Sequence, residues 1–132
     1  SGAHSLPPVR ATGGGPPGPA TKLYGTLSYY EICNNTKNNG WTIFQDPNGY
    51  IGPYAVSLDQ PTVWVGYDDA DMATRKAKYA RSLGLGGVMV WDISMDDFQN
   101  MCGGGVNPVM TAIKEALTQG SSSSSKTVTK LD

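Results

Sequence analysis

The chain has 132 residues, a formal charge of −1 and a mean hydropathy of −0.32. Near-neutrality argues against a nucleic-acid groove, which needs a basic patch. No long apolar run occurs, so neither a membrane span nor the core of a signal peptide is legible. The 17 Gly and 9 Pro favour turns and short strands over long helices.

Both ends are poor in packing material. Residues 1–20 pass through Gly13-Gly14-Gly15-Pro16-Pro17-Gly18-Pro19, and residues 120–132 open on Gly120 and the Ser121–Ser125 run. The first stretch is expected to be poorly ordered and the second to be a linker, since neither buries enough surface to offset its ordering entropy. Residues 23–33 are ambiguous: Leu23, Leu27 and Tyr30 fall at helical spacing, while Leu27, Tyr29 and Glu31 alternate as in a strand. Residues 41–45, 54–58 and 63–67 read as short strands. The breakers Asp46-Pro47-Asn48-Gly49 and Asp59-Gln60-Pro61 separate them, which suggests antiparallel hairpins.

The pattern then changes. Asp68-Asp69 offers an N-cap to a helix over 70–83, with Met72, Tyr79, Ala80 and Leu83 on one face and Gly84 as its stop. Gly86-Gly87-Val88-Met89-Val90-Trp91 has the continuous apolar character of a strand buried on both faces. Asn107-Pro108 opens a second helix striped by Val109, Met110, Ile113 and Leu117. Helix, buried strand and helix are a piece of an α/β fold. A lone buried strand cannot pair its own edges, so this chain is expected to be part of a larger unit.

Chemistry concentrates at Trp91. An indole at the end of such a strand makes a flat floor for a sugar ring, with Met89 on the same side, although a core Trp plugging the sheet end has the same pattern. Asp68, Asp69, Asp71, Asp96 and Asp97 are tempting as paired carboxylates, but helix capping explains the first group and backbone hydrogen bonding the second. Glu31 and Asp92 carry no assignment. His4 stands alone in a polar end, and one His with two Cys makes no zinc site. No phosphate loop, dinucleotide fingerprint or other cofactor motif occurs. Cys33 and Cys102 are either free thiols or a disulfide, and Asn34-Asn35-Thr36 is a glycosylation acceptor pattern if the protein is secreted.

The segments Pro16-Pro-Gly-Pro19, Leu27-Ser-Tyr-Tyr-Glu-Ile-Cys33, Gly52-Pro-Tyr-Ala55, Trp64-Val-Gly-Tyr-Asp-Asp69 and Gly84-Leu-Gly-Gly-Val-Met-Val-Trp91, followed by Asp96-Asp-Phe98 and Cys102, stand in the order seen in one family. Over residues 15–119 the chain resembles the C-terminal part of a chitinase of glycoside hydrolase family 18, of the animal and arthropod kind. The resemblance implies an α/β fold: a fragment of a (β/α)8 TIM barrel carrying most of an α+β insertion domain. Residues 1–67 would be the later part of the insertion, with Leu23–Cys33 as its helix. Residues 68–119 would be helix 7, strand 8 and helix 8, and 120–132 a Ser-rich linker.

It also implies that Trp91, flanked by Met89, floors the sugar site, that Cys33 pairs with Cys102, and that the parent is secreted. Its partners would be chitin or chitooligosaccharides together with the missing N-terminal barrel half, and neither a nucleic acid nor a membrane. The family cleaves β-1,4-linked N-acetylglucosamine polymers with retention, through the substrate's own acetamide and a Glu general acid, an exception to the two-carboxylate scheme. That Glu and its D-x-x-D-x-D-x-E motif are not in this sequence, so no residue here takes a catalytic role. A chitinase-like lectin or growth-factor-type protein, which binds the sugar without cleaving it, is the alternative. After Trp91 the family has a small residue, an apolar one and Asp, where this chain has Asp92, Ile93 and Ser94.

Overall fold

The first helix starts where a reciprocal cap can form. Ser28 Oγ accepts the Glu31 N–H at 3.3 Å, and the Glu31 carboxylate accepts the Ser28 N–H at 2.8 Å, the capping-box arrangement. In the computed structural model, which describes residues 11–59 and 61–119, helix α1 accordingly spans Tyr29–Asn38. It begins later than the Leu23 start implied by the resemblance. Ser28 closes forward onto a first-turn N–H while Glu31 reaches back to the Ser28 N–H, and residues 23–27 stay outside the helix.

Glu31 also reaches upstream, accepting the Ala20 N–H at 2.7 Å and the Thr21 N–H at 3.0 Å. The end of the stretch read as poor in packing material is therefore tied to α1 through Ala20, and Gly15 accepts the Gly25 N–H at 2.9 Å. Residues 1–10, which include His4, and the Ser-rich stretch 120–132 lie outside the described residues.

Three strands follow, β1 (Thr42–Phe44), β2 (Tyr54–Val56) and β3 (Trp64–Gly66), forming one antiparallel sheet in the order β1-β2-β3. The Asp46 side chain accepts the N–H groups of Asn48, Tyr50 and Ile51 and so shapes the first connection. In register, Ile43, Ala55 and Val65 share one face, whereas Phe44 and Tyr54 share the other with Trp64. Ala55 is fully buried, and Ile43 lines a small cavity with Ile32 of α1.

Helix α2 (Ala70–Ser82) is capped by Asp69, whose side chain accepts the Met72 N–H at 2.9 Å. It packs along α3 (Pro108–Thr118) through small residues: Ala73, Ala77 and Ala116 are buried, which lets the helices approach closely. Arg81 donates to the Ala116 carbonyl across this contact. The buried face of α2 runs through Met72, Ala73 and Ala77, while Tyr79 and Leu83 of the expected face stand exposed.

Asn107 does precede α3 but does not cap it; its backbone is left-handed at φ 51° and its side chain makes no cap bond. Buried Asp96 does so from the preceding loop, accepting the Val109 N–H at 3.3 Å and the Met110 N–H at 2.9 Å. Asp96→Ala should destabilise the chain by about 2 kcal/mol, because the first turn of α3 loses its acceptor; an unchanged urea midpoint would show that α3 needs no cap.

One expected element is not formed. Gly86–Trp91 makes no sheet ladder and lies largely exposed. A buried strand needs a neighbouring strand to pair each of its edges, and the sheet among the described residues lies elsewhere in the sequence, at 42–66.

Candidate functional site

Gly84, left-handed at φ +67°, ends α2 and turns the chain into the 85–92 segment. That segment borders a cavity of about 470 Å³ whose other walls include Tyr29 at the start of α1, Tyr67-Asp68 just after β3, Ala73 and Lys76 of α2, and Val109 and Ile113 of α3. Trp91 and Met89 both line it, and both are open to solvent, Trp91 at 87% and Met89 at 79%. The peptide bond between Trp91 and Asp92 is cis. Asp92 accepts hydrogen bonds from the Ser94 N–H at 2.8 Å and from the Ser94 hydroxyl, so its carboxylate is held by the short 3₁₀ turn Ile93–Met95.

The two phenol rings of the wall are tilted 41° to one another with centroids 6.0 Å apart. Burial, then the neighbouring Tyr29 phenol and the Asp69 carboxylate, push the Tyr67 hydroxyl up to about 12. Burial also raises Tyr29, followed by the negative charges of Asp69, Asp96, Asp97 and Asp71. Both hydroxyls, protonated at neutral pH as ordinary phenols are, are held still further from ionisation. Asp68 Oδ2 pairs with Lys76 Nζ at 2.6 Å. The cavity thus combines an exposed indole, thioethers, two neutral phenols, Lys76 and the carboxylates of Asp68, Asp92 and Asp96, a set suited to holding a polar ring with an apolar face.

Four carboxylates are occupied in structure. Fully buried Asp97 accepts the N–H groups of Met101 at 2.9 Å and Cys102 at 2.6 Å; Asp96 and Asp69 cap helices; Glu31 holds the 20–28 loop. The Cys33–Cys102 disulfide is formed and ties α1 to the loop before α3. Asn34 lies within α1, where its side-chain oxygen accepts from the Asn38 amide, and Thr36 Oγ1 donates to the Cys33 carbonyl. Tyr29, Tyr67 and Asp68 were not singled out as cavity residues from the sequence. Their positions depend on α1 meeting the end of β3, and the local signals are the runs Leu27-Ser-Tyr-Tyr-Glu-Ile-Cys33 and Trp64-Val-Gly-Tyr-Asp-Asp69.

Residues 4–96 match the model of glycosyl hydrolases family 18. The chain belongs to that family. It is 44% identical over 109 residues to Probable chitinase 10 of Drosophila melanogaster, covering 83% of this chain and 5% of that protein. Among solved structures, the Group II chitinase catalytic domain 2 of Ostrinia furnacalis, as a mutant in complex with a penta-N-acetyl chitooligosaccharide, superposes with a TM-score of 0.74 at 44% identity, covering 81% of this chain and 27% of that one. Human YKL-39, described as a pseudo-chitinase with retained chitooligosaccharide binding properties, gives a TM-score of 0.69 at 39% identity, covering 81% and 28%. The chain spans about a quarter of the length of these solved relatives.

Proposed function

We propose that this chain supplies the sugar-binding floor of a chitinase-type cleft, with Trp91 as the stacking surface and Met89 beside it. The observation that carries the reading is the open indole of Trp91 at the mouth of a cavity walled by neutral phenols and Asp68. In the whole protein, residues 1–67 would be the later part of the α+β insertion domain. Residues 68–119 would be helix 7, strand 8 and helix 8 of a (β/α)8 barrel, with Val88–Trp91 gaining its strand neighbours there. The same reading takes the protein as secreted, which suits the disulfide, and takes Asn34 as its glycosylation acceptor.

The proposed substrate is a β-1,4-linked N-acetylglucosamine chain, cleaved in the parent by a substrate-assisted retaining mechanism whose acid is not in this sequence. A second reading, a non-catalytic chitooligosaccharide-binding protein, is favoured by the likeness to YKL-39. Titration of tryptophan fluorescence with chitotetraose should show saturable binding, weakened at least about tenfold in Trp91→Ala, because one stacked ring is worth about 1.4 kcal/mol. A chromogenic chitobioside should not turn over, since no general acid is present to protonate the leaving oxygen. Turnover abolished by Trp91→Ala, or no binding at all, would defeat the reading.

A further inference from the structure

The outer face of the sheet carries a second aromatic surface. Phe44 and Tyr54 stack with centroids 5.1 Å apart and planes 11° apart, and Trp64 continues the row 5.9 Å from Tyr54. The position of Gly66 explains how the indole lies. Two residues apart on a strand, Trp64 and Gly66 point to the same face. A Cβ added at Gly66 would meet Trp64 Cη2 at 2.9 Å, so the six-membered ring occupies the space a side chain would take. The glycine makes room for the indole to lie along the sheet, and Trp64 remains 40% exposed.

Tyr54 and Trp64 of this row line a cavity of about 400 Å³, together with Ile51 and Pro53. Tyr67 and Asp68 line both this cavity and the one at Trp91, so the two share a wall. Asp68 serves both sides. Its Oδ2 is taken by Lys76 on the Trp91 side, whereas its Oδ1 is 3.1 Å from where a Gly52 side chain would start, in the wall of the second cavity. A flat aromatic floor with one free carboxylate oxygen at its rim is chemistry for a pyranose ring: C–H groups against the π face and a hydroxyl donated to the carboxylate.

We propose that the Trp64 face is a second sugar-stacking platform, which receives further residues of the same N-acetylglucosamine chain reaching past Tyr67 and Asp68. This inference rests on the reading of Trp91 given above, and the test separates the two. The protein has three Trp residues, each with one indole N–H signal in a ¹H–¹⁵N spectrum. Chitobiose should move the Trp91 signal alone, whereas chitohexaose should move those of both Trp91 and Trp64. Trp64→Ala should weaken chitohexaose binding about tenfold and leave chitobiose binding unchanged. Gly66→Val, which keeps the indole but displaces it, should have the same effect. If chitohexaose moves Trp91 but not Trp64, the platform is refuted and the Trp91 reading stands. If neither signal moves, both are refuted.

Discussion

Replacing Cys33 and Cys102 together by Ser should lower the stability of the chain by about 4 kcal/mol, the loop-entropy value for a crosslink of this span. The two cysteines are 69 positions apart, so the unfolded chain loses a large closed loop when the bond is removed. Local geometry should survive better than global stability. Lys37 Nζ donates to the Met101 carbonyl at 2.9 Å and to the Cys102 carbonyl at 2.8 Å, while Asp97 holds the Met101 and Cys102 N–H groups. The urea midpoint of the double Ser variant should therefore fall sharply with little change in the folded-state circular dichroism. An unmoved midpoint would mean that the crosslink constrains nothing. The oxidised chain should weigh two hydrogens less than the reduced one, and alkylation of both thiols without reductant would contradict the pairing.

Glu31→Gln should cost about 3 kcal/mol, because charge-assisted hydrogen bonds are replaced by ones to an amide with a single acceptor oxygen. Burial works against ionisation at this site, yet the N–H groups of Ser28, Thr21 and Ala20 and the Ser28 hydroxyl outweigh it and hold the carboxyl below its ordinary 4.5. A carboxylate lowered on folding contributes stability above its unfolded-state value, and that contribution is lost as pH falls through the lower folded-state value. Wild-type stability should thus decline below 4.5 more steeply than that of the Gln variant. Parallel acid profiles for the two proteins would contradict this role. Gly18→Ala should injure the same contact from the other side, since its Cβ would collide with Glu31 Oε1.

The elements that were legible in the sequence are those whose signals are local. The three strands lie between Pro- and Gly-containing breakers, and Asp69 and Pro108 mark helix starts through chemistry confined to one turn. The start of α1 is equally local, in Ser28-Tyr29-Tyr30-Glu31, but the spacing over residues 23–33 fits helix and strand alike, and the Leu23 start comes from the family resemblance. Tyr79 and Leu83 fit an apolar stripe, yet α3 packs instead on the alanines one row away. Gly86–Trp91 differs in kind. Whether such a run becomes a buried strand is decided by neighbouring strands, and its own composition carries no information about whether they are present. For the candidate site, Trp91 and Met89 could be singled out from type and position, whereas Tyr29, Tyr67 and Asp68 reach the cavity only through tertiary packing.

The bond between α1 and the loop at Cys102 also governs how damage to this polypeptide becomes visible. All three strands and their connecting turns lie inside the ring it closes. A protease that nicks the exposed turn around Asn48 would leave both pieces covalently joined. On a gel run without thiol, cut and uncut molecules would migrate together, and only reductant would separate them into two shorter species.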